Sequence, residues 1–400
     1  MRILVNDFGG YPYPAQLSRA LAARGHDVLH TFCASLQTTP QGTLTRLPGD
    51  PDTLEIRPLR LEAPLEKYRF AKRFFQERAY GALAAEALAS FRPDVVLSAN
   101  TPLDAQATLL KASRRHGARF VFWLQDVIGI AAERILRDKV PLVGGLIGRH
   151  YVRLEAKLLR ESDHVVVITD DFRAILHEWG VPDGRITTVE NWAPIEELPL
   201  ASQEEGDRWR AANGLPARDA ADGFLFVYAG TLALKHNPDL LVRLADAVRG
   251  RARVVLLSQG HGADYLAGLK AEGKLGNLDI LGFRPFAQMP AVFAATDVLA
   301  AVLEPEAGVF SVPSKVLAYL CGGKPLLTAM PTENLASRIV DGHGAGLVVA
   351  PDDADGFVAG GLALLDDPER RAAMGAAARA YAEHAFDIAR ITDEIERTLR

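Results

Sequence analysis

The chain has 400 residues, 48% hydrophobic and 24% charged, with a formal net charge of −5. That length suggests two to three domains with enough chain for a core in each, and the composition excludes a low-complexity or disordered protein. Charge is uneven, with 25 − 22 = +3 over residues 1–195 and 20 − 28 = −8 over 196–400; the first half suits an anionic partner, but nothing is basic enough for nucleic acid.

At the N-terminus M-R-I-L-V-N-D turns polar too soon for a signal peptide, and no apolar run approaches the roughly 20 residues of a spanning helix. Cys33 and Cys321 both sit in apolar settings, so a reducing cytoplasm is expected rather than a disulfide framework. Short apolar runs predict strands at 3–5, 28–32, 95–98, 120–124, 165–168 and 186–189. Helical spacing falls between them at 15–24, 69–89, 105–116, 147–159 and 172–178. Such alternation implies a parallel sheet covered by helices on both faces. Residues 191–222, rich in Pro, Glu and Ala, read as a linker with one short helix. The scheme then repeats, with strands at 224–228, 254–257, 278–281, 298–302, 325–328 and 347–349. Helices at 368–383 and 388–399 have no strand after them, so the last is placed back on the first domain. The expected division is 1–195, a linker 196–222, a second domain 223–385, and the returning helix 386–400. Both domains are α/β, Rossmann-like and doubly wound, facing a cleft at the carboxyl ends of their sheets, where such folds bind ligands.

Several strand ends carry groups suited to a phosphate or a sugar. Gly9 and Gly10 follow the first strand and permit close backbone approach. Asp126 follows an apolar strand; it suits either the orientation of a hydroxyl or the capping of a helix beginning at Val127. Asp7 is a second acid on that side. Gly260 lies in G-H-G after a strand of the second half. The segment Glu304–Met330 reads as a loop with two carboxylates (Glu304, Glu306), a turn at Pro313, a helix start at Ser314-Lys315, and Gly322-Gly323 before a buried strand. A helix start with a capping hydroxyl and a lysine is a seat for an anion, through its free N–H groups and its positive dipole end.

The order of motifs resembles the retaining GT-B glycosyltransferases of family 4, and within them the bacterial branch that builds colanic acid and O-antigens. The likeness rests on N-D-F-G-G-Y-P (6–12), W-L-Q-D (123–126), V-E-N-W (189–192), Y-A-G-T-L-A-L-K-H-N (228–237), L-L-S-Q-G-H-G (256–262), L-G-F-R-P (281–285) and P-S-K-V-L-A-Y-L-C-G-G-K-P (313–325). It implies a nucleotide-diphosphate sugar as donor (UDP or GDP) held by the second domain, with Gly230, Thr231, Gly260, Glu304, Glu306 and Ser314 around it. It also implies an acceptor, a glycan or a polyprenyl-diphosphate-linked sugar, on the first domain. Lys235 and Lys315 would meet the departing diphosphate, where fixed cations help most. No D-x-D motif stands at a strand end, which agrees with a metal-independent reaction needing no further cofactor. Where relatives carry two glutamates with seven residues between them, this chain has Phe310 and Ala318, and the usual arginine after Gly230 is Thr231.

Residues 67–78, K-Y-R-F-A-K-R-F-F-Q-E-R, interleave cations with rings, and 137–150 combine cations with an apolar segment. Both suit anionic lipid headgroups, or else pack their apolar faces inside. The expectation is a cytoplasmic enzyme, peripheral on the inner face of the cell membrane. A sugar-nucleotide epimerase of the same fold, or a non-catalytic partner of another transferase, are the alternatives.

Overall fold

The computed structural model describes the chain except residues 37–41, 66–68, 141–142, 233–235 and 306–310. It divides into two compact units, one of residues 1–191 with 387–400 and one of residues 192–386.

The first unit runs β1 (Arg2–Asp7), α1 (Pro12–Ala23), β2 (Asp27–Cys33), β3 (Leu54–Leu59), α2 (Phe70–Phe91), β4 (Val95–Ala99), α3 (Leu103–His116), β5 (Arg119–Leu124), α4 (Ile128–Lys139), α5 (Gly144–Glu161), β6 (His164–Val167), α6 (Arg173–Glu178) and β7 (Ile186–Thr188). Its sheet has the order β3-β2-β1-β4-β5-β6-β7, and every pairing is parallel. The apolar runs of β1, β4, β5 and β6 are buried on both faces, as a parallel sheet clad in helices requires.

Two elements were not expected from sequence. Strand β3, L-E-I-R-P-L, lies at the sheet edge; its Glu55 and Pro58 are the residue types that blunt an edge, and they hide its strand pattern. Helix α4 has no local cap: Val127 occupies its N-cap without a side-chain bond. The acceptor comes instead from α5, where Glu155 takes hydrogen bonds from the Ile128 N–H at 3.0 Å and the Gly129 N–H at 2.7 Å.

The second unit runs α7 (Gln203–Ala212), β8 (Phe224–Ala229), α8 (Asp239–Ala247), β9 (Ala252–Leu257), α9 (His261–Ala271), β10 (Leu278–Ile280), α10 (Met289–Ala295), β11 (Val298–Val302), α11 (Ser314–Cys321), β12 (Leu326–Ala329), α12 (Leu335–Gly342), β13 (Gly346–Val349), α13 (Ala354–Asp366) and α14 (Pro368–Ala385). Its six parallel strands are ordered β10-β9-β8-β11-β12-β13. Residues 196–222, expected as a linker, are folded into this unit. Gly206 lets α7 approach α10 so closely that a Cβ would lie 2.6 Å from the Ala294 carbonyl carbon. The buried Arg210 then donates to the carbonyls of Ala295 (2.8 Å) and Gly223 (2.5 Å) and to Asp297 (2.9 Å).

The last helix, α15 (Ile388–Leu399), packs on α1 of the first unit. Ile391, Ile395 and Leu399 are buried, and Arg24 reaches Asp393 (2.5 Å), Glu396 (3.1 Å) and the Ala389 carbonyl (2.7 Å). Cys33 and Cys321 are buried free thiols, and burial raises both pKa values.

Candidate active site

In each unit the strand order reverses beside the first strand, between β1 and β4 and between β8 and β11. Loops diverge there and leave a crevice at the carboxyl ends. The candidate residues gather at these two points.

At the first, a cavity of about 200 Å³ is lined by Phe8, Gly9 and Tyr11 after β1, Asn100 and Thr101 after β4, and Gln125 and Asp126 after β5. Gly9 is required: a Cβ would lie 2.1 Å from the Tyr11 ring, which walls the cavity. Gly10 adopts φ +67°, a left-handed conformation that glycine enters without cost, and its N–H closes a turn onto the Asp7 carbonyl at 3.1 Å. Asp7 is fully buried and fixes the loop by accepting from the Tyr11 N–H (2.6 Å) and the Asn100 side-chain amide (3.1 Å). Burial pushes its pKa up to about 7 against the lowering effect of those donors. The chain of bonds continues from Asn100 to the Tyr13 hydroxyl (3.0 Å) and from that hydroxyl to Gln125 Oε1 (2.9 Å), which also accepts from Asn191 (2.5 Å).

Asp126 is half-buried on the turn before α4. It does not cap that helix; Glu155 does, from behind the turn. Burial raises the Glu155 pKa to about 8, opposed by its two amide donors and assisted slightly by the nearby Asp126.

At the second point, Gly230 has φ +132° and Gly260 φ +108°, both in the region that favours glycine. The loops after β8 and β9 are knitted by Leu232 N–H to the Gln259 carbonyl (3.2 Å) and Gly262 N–H to the Leu232 carbonyl (3.0 Å). Lys315, on the first turn of α11, lies over the Tyr228 ring at 4.0 Å. It donates to the Tyr228 hydroxyl and, at 3.4 Å, to the Thr231 carbonyl. One turn on, the Tyr319 hydroxyl accepts from the Ala229 N–H (2.7 Å) and donates to the Ala229 carbonyl (2.8 Å), tying α11 to the end of β8. Gly230, Thr231, Gly260 and Lys315 are thus brought together. Glu304 stands half-buried just beyond β11, on the strand adjacent to β8. His236 is buried, its ring 6.4 Å from that of Tyr228.

One expectation is corrected. Ser314 is not the cap of α11: Pro313 occupies the N-cap without a side-chain bond, and Ser314 is the exposed first residue of the helix. A residue before the helix must supply a capping oxygen, and proline has none to give. Lys235, Glu306 and Phe310 lie outside the described residues.

Sequence reading passed over Tyr13, Asn100, Gln106 and Asn191. The signal available was a polar residue immediately after an apolar strand, which Asn100 satisfies and Asn191, three residues beyond β7, does not.

Of the basic aromatic stretch, Lys67 and Tyr68 lie outside the described residues, and so do residues 141–142 of the second stretch. On α2, Phe75 is 69% exposed, Arg73 pairs with Glu77 at 2.6 Å, and Arg78 stacks on Phe74. Ile135, Val143, Leu146 and Ile147, on and between α4 and α5, are also exposed. Among the described residues, no helix is long and apolar enough to cross a membrane.

Comparison with known proteins agrees with this fold. Residues 8–192 match the glycosyl transferase 4-like domain, and residues 223–367 match the glycosyl transferases group 1 domain. A D-inositol 3-phosphate glycosyltransferase of Kineococcus radiotolerans is 28% identical over 323 residues, 69% of this chain and 71% of that protein. Among solved structures, a sucrose-phosphate synthase from Thermosynechococcus elongatus superposes with a TM-score of 0.76 at 17% identity, covering 99% of this chain and 98% of the other. HepE from Anabaena, solved with UDP and glucose, gives 0.73 at 18% identity over 100% and 99%. At these identities the structures show the shared fold.

Proposed function

Because the chain belongs to the GT-B glycosyltransferases, with a glycosyl transferase 4-like domain followed by a group 1 domain, we propose that it works with retention on a UDP- or GDP-sugar. It would pass the sugar to a lipid-linked or polysaccharide acceptor in bacterial surface-glycan assembly, as in the branch that builds colanic acid and O-antigens. The observation that carries this is the convergence of Gly230, Gly260 and Lys315 at the switch point of the second sheet. The two glycines let a diphosphate approach the backbone. The N-terminal amides of α11, to which Pro313 at the N-cap gives no side-chain bond, and the Lys315 ammonium would then supply donors where the leaving group gains charge. The cation is pre-placed by the Tyr228 ring and the Thr231 carbonyl, so it needs no reorganisation during bond cleavage.

The cavity of the first unit is the acceptor side of this reading. Asp126 lies in its wall and would orient the attacking hydroxyl, held on a turn that Glu155 anchors. Lys235 would add a second cation near the diphosphate, while Glu304 and Glu306 would bind donor hydroxyls, since carboxylates accept paired hydrogen bonds. No step is assigned to a metal ion or a further cofactor. Binding to HepE makes UDP the first nucleotide to try. The exposed Phe75, Val143, Leu146 and Ile147, with cations beside them, support peripheral attachment to an anionic membrane surface on the cytoplasmic side.

The test is release of free nucleoside diphosphate from UDP- and GDP-sugars, with and without lipid-linked acceptors. Acceptor-dependent release with the product anomer retained supports the proposal. Release without sugar transfer, or none with any donor, contradicts it.

A further inference from the structure

The cavity of the first unit carries polar groups that its own fold leaves unused. Gln106 is 1% exposed and Gln125 is 7% exposed, and both line the cavity. Among the described residues, Gln106 Oε1 and Gln125 Nε2 have no hydrogen-bond partner, and neither has Asn191 Oδ1 behind Gln125. The tyrosine and asparagine that meet Gln125 both do so at its oxygen, which leaves its amide nitrogen unused. A buried polar atom left unpaired costs about 1–3 kcal/mol. A donor and an acceptor left so in the wall of one cavity are the complement of hydroxyl groups, which both give and take hydrogen bonds. The rings of Phe8, Tyr11 and Trp123 add apolar faces to the wall. A space of about 200 Å³ has room for a sugar residue.

Charge narrows the ligand further. Arg73 lines the cavity, but its Nε is held by Glu77 at 2.6 Å, while Asp126 lines the opposite sign and Asp7 lies behind Asn100. Among the described residues, one guanidinium stands with three carboxyl groups, which leaves no surplus positive charge there for a phosphoryl group.

We infer that this cavity takes an uncharged, hydroxyl-bearing sugar residue, the terminal unit of the acceptor, with Gln106 and Gln125 as its specificity-determining contacts. This rests on the transferase reading above. Gln106 accepts from one ring hydroxyl and Gln125 donates to another, while the rings cover an apolar face. Any phosphate of a lipid-linked acceptor then lies outside the cavity, and a free sugar phosphate is a poor ligand.

Saturation-transfer NMR on the full chain tests this with methyl glycosides of glucose, galactose, mannose and N-acetylglucosamine, each against its 6-phosphate. At least one neutral glycoside should bind, at least tenfold more tightly than its phosphate. Gln106→Leu and Gln125→Leu should each weaken it tenfold or more. Gln125→Glu keeps the oxygen that Tyr13 and Asn191 use and changes only the unpaired nitrogen, so it should weaken binding at an unchanged melting temperature even if the leucine variants misfold. Equal or tighter binding of the phosphates, no neutral ligand among the four, or unchanged binding in the folded variants would overturn the inference. UDP calorimetry on the same samples reports the transferase reading separately: loss of UDP binding with glycoside binding retained contradicts that reading and leaves the cavity's ligand class supported.

Discussion

Gly230 and Lys315 are packed so closely that a Cβ on the glycine would stand 3.2 Å from Cε of the lysine and 3.5 Å from its Nζ. The glycine also holds φ +132°, so any substitution there is strained as well as crowded. Gly230→Ala is therefore expected to displace the ammonium and lower kcat/KM for the donor by a factor of ten or more. Lys315→Arg should not restore activity in that background, since the larger guanidinium meets the same obstruction. Steady-state kinetics on Gly230→Ala and on the double variant checks this; wild-type rates in Gly230→Ala contradict the placement.

Gly9→Ala should act on the other substrate. Its Cβ would lie 2.1 Å from the Tyr11 ring and must push that ring out of the cavity wall. Acceptor KM should rise tenfold or more while UDP affinity stays within twofold of wild type. The split between the two measurements is the readout, because a general loss of folding would move both.

Glu155 gives a pH prediction. Burial moves its pKa from 4.5 to about 8, so the folded protein holds this proton more tightly than the unfolded chain. The resulting stabilisation is complete below about pH 4.5 and is lost as pH rises through about 8. Asp7, raised to about 7, contributes with the same sign over a narrower window. Urea unfolding between pH 5 and 8.5 should show stability falling in wild type and falling less in Glu155→Gln, by a difference of about 1 kcal/mol or more. Parallel curves for the two proteins would contradict the assignment.

The returning helix should matter through its apolar side. Ile395 is fully buried, and Ile395→Ala is expected to cost about 2–5 kcal/mol. Arg24→Ala removes an exposed ion-pair cluster with Asp393 and Glu396, worth about 1 kcal/mol or less. Chemical denaturation distinguishes the two; a larger loss in Arg24→Ala would invert the account of how α15 is held.

Membrane attachment should depend on the exposed apolar residues of the α4–α5 region. Leu146→Asp with Ile147→Asp is expected to abolish flotation with vesicles containing anionic lipid, without altering UDP affinity. Unchanged flotation would remove this surface from the proposal.

The strands were legible wherever both faces are buried, because β1, β4, β5, β8, β9 and β11 are then unbroken apolar runs. Strand β3 was not, since a charged, proline-bearing edge strand lacks that pattern. Helix α4 escaped notice because its cap lies 26 to 27 residues downstream, on Glu155. In the second unit, Gly230, Gly260 and Lys315 could be chosen from their places at strand and helix ends. The role given to Ser314 was off by one residue, since Pro313 takes the cap position. The network from Asp7 through Asn100, Tyr13 and Gln125 to Asn191 was hidden for a different reason. It joins the end of β1, helix α1 and the segments after β4, β5 and β7, which are far apart in sequence and meet only in the folded unit.

The central claim is that a nucleoside diphosphate seats against Lys315 and the Gly230–Gly260 corner of the second unit. Titration calorimetry of wild type and Lys315→Ala with UDP and GDP measures it most directly. One nucleotide should bind wild type and bind Lys315→Ala at least tenfold more weakly, with the melting temperature of the free protein unchanged. Equal affinity in the two proteins, or no binding of either nucleotide to wild type, would contradict it.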